Sequence, residues 1–205
     1  MDGPLGRAAI DDIESRTPFR VLGFFENGFR HLSNSVRPVR TLADISGLSV
    51  RAFPLVQDAF RLLGADVVYA PISETIPRLA DGSYDGQENP FENVVGYGLQ
   101  AHQRYYTMTY HAYLSRPVFV HGPTFDTWPD ELQVEIQAAV RDAVALQREL
   151  HDVAEIESAA AIREAGGEII ELSAEQRSEF VAAVEPVYAQ ARSRFDPALL
   201  AEVGL

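Results

Sequence analysis

Leu48-Ser49-Val50-Arg51 opens the stretch that decides the fold, and Asp85-Gly86-Gln87-Glu88-Asn89-Pro90 closes it. Leu48–Phe53 is a run of strand length. Leu55–Leu63 has helical periodicity and stops at Gly64, and Asp66-Val67-Val68-Tyr69 is a second strand. Ser73 is placed to cap a helix over Glu74–Ala80 that Gly82 stops, and Tyr84–Asn89 is a third short strand running into a loop. Strands that alternate with helices in this way predict an α/β fold whose sheet is parallel or mixed, with crossover helices.

Working outward, Ala8–Arg16 reads as the tail of a helix. Phe19-Arg20-Val21-Leu22-Gly23-Phe24-Phe25 is a continuous apolar run, expected to be a strand buried on both faces. Glu26–Pro38, rich in Asn, Gly and Ser, reads as loop or irregular strand. Thr41 and Asp44 mark the start of a very short helix ended by Gly47. On the other side, Tyr105–Tyr113 and Pro117–His121 read as two further strands from their aromatic and β-branched content. A long helix follows, with Thr127 or Trp128 at its cap, Pro129 at its first position and Asp130 and Glu131 in its first turn; it is expected to reach Ala165 and stop at Gly166-Gly167. Glu168–Leu172 is a small strand. Ser173-Ala174-Glu175-Gln176 is a capping box opening a helix to about Arg194, and Pro197 starts a last short one.

Composition excludes several functions. The formal net charge of −13 over 205 residues argues against nucleic acid and against an anionic membrane surface as partners. No stretch is apolar enough for direct membrane insertion. There is no cysteine, hence no disulfide or thiolate chemistry. Lysine is absent and all 17 basic residues are arginine, so an arginine draws meaning from its position and not from its type. Met1–Arg7 lacks the charged and apolar regions of a secretory signal.

Position singles out Arg51, at the carboxyl end of a strand predicted to be central, where open α/β sheets bind their ligands. A buried arginine there requires an anion, either a ligand carboxylate or a protein acid such as Glu88 or Glu26. Guanidinium matches a carboxylate through two parallel hydrogen bonds, which lysine cannot make. Asn89 suits a polar ligand or a turn ahead of proline, and Gln87 and Glu88 serve a ligand or local backbone groups. Arg30, in the polar run Glu26-Asn27-Gly28-Phe29-Arg30-His31, is a second candidate cation or a surface arginine. The histidines have no metal-ligand spacing, no serine sits in a Gly-x-Ser-x-Gly turn, and phosphate-loop patterns are absent. No catalytic residue, metal or cofactor is expected; a less favoured enzyme reading would use Glu88 and His111 as acid and base.

Several of these stretches, in this order and spacing, carry a family resemblance over nearly the whole chain. They are Phe25-Glu26-Asn27-Gly28-Phe29-Arg30, Asn34-Ser35-Val36-Arg37-Pro38-Val39, Asp44-Ile45-Ser46-Gly47-Leu48-Ser49-Val50-Arg51, Leu63-Gly64-Ala65 and Asp85-Gly86-Gln87-Glu88-Asn89-Pro90. Trp128-Pro129 with the long helix, and Gly166-Gly167-Glu168-Ile169-Ile170-Glu171-Leu172, also fit. The chain resembles the solute-binding receptor of tripartite ATP-independent periplasmic (TRAP) transporters, of the dicarboxylate-binding DctP type.

The resemblance implies a periplasmic-binding-protein-like fold of type II, in which two α/β lobes close on a ligand and a long helix ties the lobes. It implies a function without catalysis: binding a small carboxylate in the periplasm and handing it to the membrane permease subunits. By resemblance Arg51 pairs with the ligand carboxylate, Asn89 supports it, Arg30 adds a contact, and Gln87 belongs to the same run. Phe53 and Ile72 stand at pocket-shaping positions where many relatives have other residues, which leaves the ligand's identity open. A complete receptor would have a signal peptide and much of its first lobe before the equivalent of Phe19; Met1–Arg16 resembles only the helix preceding that strand. The expectation is therefore a C-terminal portion with an incomplete first lobe. Residues 30–120 would form the ligand-facing core, 128–165 the connecting helix and 166–205 the closing strand and helices. Expressed as written, such a chain would be cytoplasmic and would bind organic acids weakly, in roughly the millimolar range. A non-binding remnant or interaction module is the alternative.

Overall fold

The computed structural model describes all 205 residues. Its helices are α1 (Pro4–Arg16), α2 (Leu42–Ile45), α3 (Gln57–Leu62), α4 (Ile72–Ala80), α5 (Phe91–Gly96), α6 (Gly122–Phe125), α7 (Asp130–Glu164), α8 (Ala174–Ala183), α9 (Glu185–Arg194) and α10 (Pro197–Glu202). Its strands are β1 (Phe19–Asn34), β2 (Ser49–Arg51), β3 (Asp66–Val68), β4 (Gly86–Asn89), β5 (Tyr105–His121) and β6 (Glu168–Glu171). They form one mixed sheet in the order β3-β2-β4-β1-β5-β6. β2 runs parallel to both β3 and β4, β6 runs parallel to β5, and β1 is antiparallel to β4. No helix is long and apolar enough to cross a membrane.

The chain divides into two compact units, residues 28–113 with 154–190, and residues 1–27 with 114–153 and 191–205. The first contains every strand pairing named above. Leu32, Ile45, Leu48, Val50, Ala52 and Phe60 form a buried cluster there, and Leu79, Phe91, Val94, Leu99, Tyr106 and Ile162 form a second. Gly86 is required where β4 meets β1, because a Cβ there would lie 2.3 Å from the Ser33 carbonyl oxygen. In the second unit α1 packs against α10, Phe19 and Phe119 meet in a tilted contact with ring centroids 4.7 Å apart, and the Gln147 side chain clamps the backbone N–H and C=O of Glu26.

Several local expectations change. Of the two readings of Glu26–Pro38, irregular strand holds as far as Asn34. β1 continues through it, and Gly28 at φ +83° lets the chain change direction without a Cβ clash. Nor is the apolar run of β1 buried throughout, since Phe19 is exposed and only Val21 and Phe24 are in the core. The two strands predicted on either side of residue 115 are one, β5, which absorbs its irregularity at Tyr110. That residue holds φ +48°, a left-handed conformation that costs a non-glycine residue about 1–3 kcal/mol. Its ring is held by T-shaped contacts with Phe29 and His31 and by the Arg177 guanidinium over its face. Ser73 lies inside α4 instead of capping it; Pro71 occupies the cap. The short helices α5 and α6 are additions, and the predicted helix to Arg194 breaks at Val184, ahead of Pro186. The capping box at Ser173 and Gln176 forms as expected, and α7 spans nearly its expected length.

The weight of the core falls on the central strand. Leu32→Ala removes a side chain with no solvent exposure and leaves a cavity between β1 and the helices over it. We expect a loss of about 2–5 kcal/mol in urea unfolding; a loss under about 1 kcal/mol would mean that this cluster is not the core.

Candidate functional site

Strand register assembles the candidate residues. β2 and β4 are adjacent and parallel with Arg51 opposite Gln87. β4 and β1 are antiparallel with Gln87 opposite Ser33, Glu88 opposite Leu32 and Asn89 opposite His31. Residues directly opposite each other share a sheet face, and the face alternates along a strand. Arg51, Gln87, Asn89, His31 and Ser33 therefore share one face, at the carboxyl ends of β2 and β4.

Arg30 is buried, not on the surface, and its partner is Glu88. The Arg30 Nε donates to Glu88 Oε2, while its Nη2 donates to Glu88 Oε1 at 2.9 Å, to the Glu88 carbonyl at 2.6 Å and to Asn89 Oδ1 at 3.0 Å. The Phe53 N–H also donates to Glu88 Oε1, at 2.8 Å. His111 Nε2 lies 3.1 Å from Glu88 Oε2 while its Nδ1 lies 2.7 Å from the Thr109 hydroxyl. Donation from Nε2–H to the carboxylate and acceptance by Nδ1 from the hydroxyl satisfies both nitrogens. Burial by itself would raise the Glu88 carboxyl, but the hydrogen bonds from His111 and Arg30, with the Arg30 charge, outweigh it and hold Glu88 below its ordinary range.

The amides form a second chain. Asn89 Nδ2 donates to Gln87 Oε1 at 2.5 Å, Gln87 Nε2 to Ser33 Oγ at 2.7 Å, and Ser33 Oγ to Gln103 Oε1 at 3.1 Å. Gln87 is thus wholly engaged inside the protein. Asn89 Oδ1 accepts from Arg30 and Asn93.

Arg51 differs from Arg30. It is only 8% exposed, its Nε donates to the Ala70 carbonyl at 3.0 Å, and its terminal nitrogens make no hydrogen bond or ion pair to the protein. Neither acid considered as its internal partner fills that role, since Glu88 is bound by Arg30, and Glu26 lies in the other unit with Arg148. Burial pulls the Arg51 guanidinium below its ordinary value, and the Glu88 charge opposes that pull. Phe53 sits against the first core cluster with Arg30 over its ring, and Ile72 packs on the second cluster at the start of α4. His31 is kept neutral: burial, then the nearby His111 and Arg177, lower it to about 3. Sequence reasoning missed His31, Ser33, Gln103 and the role of His111 as a support for Glu88. The alternation Phe29-His31-Ser33 against Arg30-Leu32-Asn34 was the available signal for the first two.

The DctP profile, described as bacterial extracellular solute-binding protein, family 7, matches residues 1–194. The chain belongs to this family. Similar proteins include a solute-binding protein of Verminephrobacter eiseniae, 31% identical over 99% of this chain and 60% of that protein. The 2,3-diketo-L-gulonate-binding periplasmic protein YiaO of Escherichia coli is 30% identical over 83% of this chain and 52% of its own length. A crystal structure of a TRAP periplasmic solute binding protein from Xanthobacter autotrophicus Py2 with bound β-D-galacturonate superposes with a TM-score of 0.85. It is 29% identical and covers 97% of this chain and 65% of that one. The chain thus spans 52–60% of those two relatives' lengths. Family 7 is described as solute-binding and not by a catalysed reaction, so the contact of His111 with Glu88 is read here as support for the carboxylate.

The two buried ionisable groups give distinct pH windows. A histidine lowered from 6.5 to about 3 leaves the unfolded chain alone in taking up a proton between those values, so stability falls as pH drops from 6.5 toward 3. A carboxyl lowered from 4.5 contributes stability above that value and loses it as pH falls below. We expect His31→Gln to flatten the upper part of the acid limb in pH-dependent urea unfolding, and Glu88→Gln to flatten the part below pH 4.5 while lowering stability at neutral pH. An unchanged limb in both variants would contradict this assignment.

Proposed function

We propose that this chain is the ligand-holding part of an extracytoplasmic solute receptor of a TRAP transporter. It binds a small organic acid through Arg51 and presents it to the membrane permease subunits. The carrying observation is that Arg51 is buried, anchored through Nε, and free of any protein acceptor at its terminal nitrogens. Those two nitrogens form the fork that a carboxylate fits. Asn89 stands on the same face with its amide oriented by Gln87 and Arg30, and it serves as the neighbouring polar contact. Arg30 acts chiefly by fixing Glu88 and Asn89, and Phe53 and Ile72 shape the apolar wall. Support for an acid as ligand comes from the Xanthobacter protein, which holds galacturonate, and from the E. coli protein named for a keto acid. The family's extracellular description and the periplasmic name of YiaO support a periplasmic location.

The test is a titration with carboxylates followed by NMR, in the parent and in Arg51→Lys. Lysine keeps the charge and loses the fork, so affinity is expected to fall on the order of tenfold or more. Equal affinity in the two proteins would contradict the role of Arg51. An absence of binding to any organic acid in the parent would favour the alternative of a non-binding module.

A further inference from the structure

We propose that the protein has a second binding site, an apolar cavity on the sheet face opposite Arg51, and that it takes a small aromatic carboxylate, with one ring inside the cavity and the carboxylate on Arg177. The site lies wholly within residues 28–113 and 154–190, and it stands independently of the role given to Arg51.

Register and packing place the cavity. Glu88 and Leu32 are strand partners, and their face is the one opposite Arg51, Gln87 and Asn89. Phe60, Leu63 and Phe180 belong to the core cluster that contains Leu32, with Leu172 and Val184 packed against it. At the edge of this cluster these five side chains line a cavity of about 130 Å³ between α3, β5 and α8. An apolar cavity of about 150 Å³ admits a benzene ring. The Phe60 and His111 rings, both in the wall, meet edge to face with centroids 4.9 Å apart. A ring entering beside them gains the same kind of contact.

Charge sets the rest of the ligand. Arg177 lines the cavity and no carboxylate does. The positions one turn from Arg177 hold Ser173, Ala174, Phe180 and Val181, so no acid stands at pairing distance along the helix. Arg177 forms no ion pair; its terminal nitrogens donate one hydrogen bond each, to the Thr109 carbonyl at 3.2 Å and the Met108 carbonyl at 3.4 Å. The Nε–H and one N–H on each terminal nitrogen are left without a protein acceptor. The guanidinium lies over the Tyr110 ring, 5.0 Å from its centroid, and Tyr110 is the one non-glycine residue with positive φ. Strained backbone of this kind clusters at ligand clamps, where the surroundings over-determine it. Arg177 and Val181 lie one turn apart, the first half-buried and the second exposed, so the cavity opens beside the guanidinium. His111 is engaged by Glu88 through Nε2 and by Thr109 through Nδ1, which leaves Arg177 to meet the carboxylate.

The experiment titrates benzoate, benzyl alcohol and acetate at neutral pH into the 205-residue chain, into Arg177→Gln and into Ala59→Leu. NMR shifts at Phe60, Val181 and Val184 are the readout, and a thermal unfolding curve verifies each fold. Benzoate is expected to bind at these residues about threefold to tenfold tighter than benzyl alcohol, and acetate to leave them unsaturated. In Arg177→Gln the amide keeps a donor and loses the charge, so the preference for benzoate is expected to vanish while benzyl alcohol binds as before. The larger side chain of Ala59→Leu fills the cavity, and both rings are expected to bind about tenfold more weakly or worse. No saturating shift with benzoate, or equal affinity for benzoate and benzyl alcohol in the parent, would overturn the proposal, and neither result depends on a variant folding. A preference for benzoate that survives in folded Arg177→Gln would overturn it as well. Shifts confined to the surroundings of Arg51 would overturn it while leaving the carboxylate receptor in place.

Discussion

The buried Arg30–Glu88 pair is the constraint on which the site depends. Two charges removed from water are favourable only when their remaining hydrogen-bonding capacity is met. Here the carboxylate receives Arg30, His111 and the Phe53 N–H, and the guanidinium also reaches the Glu88 carbonyl and Asn89. These partners come from β1, β4, β5 and the segment after β2, so the pair ties four parts of the unit together. It also removes the acid that would otherwise have neutralised Arg51. One ion pair closed internally is what leaves the second arginine open.

Around that pair, the amide chain Asn89–Gln87–Ser33–Gln103 fixes the sheet face on which Arg51 sits. Each member is engaged by its neighbour, so the orientation of the Asn89 amide is set before any ligand arrives. A polar network of this kind is stabilising only when satisfied, and substitution at any one member orphans the next. The close approach at Gly86 belongs to the same design, since only a residue without Cβ lets β4 pair with β1 at the level of Ser33. The folding core and the candidate site therefore use the same three strands.

The β-α-β-α-β order from Leu48 to Asn89 was legible because hydrophobic runs, glycine stops and caps agree over short distances. So were the long helix α7 and the capping box at Ser173. The continuity of β1 and β5 was not. Each contains a positive φ, at Gly28 and Tyr110, that reads locally as a break and is held only by tertiary contacts such as Arg177 over Tyr110. Among the candidate residues, the placement of Arg51 and Asn89 at strand ends was legible. The burial of Arg30 was not, because its partner lies 58 positions away in sequence. Nothing local distinguishes an arginine that closes on a distant glutamate from one at the surface.

The central claim is that the two buried arginines have divided their tasks: Arg30 holds the protein together, and Arg51 holds the ligand. The most direct measurement is the guanidinium ¹⁵N spectrum of the chain, with both arginines assigned, during titration with a simple carboxylate. The account predicts that the Arg51 Nη resonances move with ligand occupancy while those of Arg30 stay fixed by Glu88. Movement of Arg30 with an unresponsive Arg51 would contradict it.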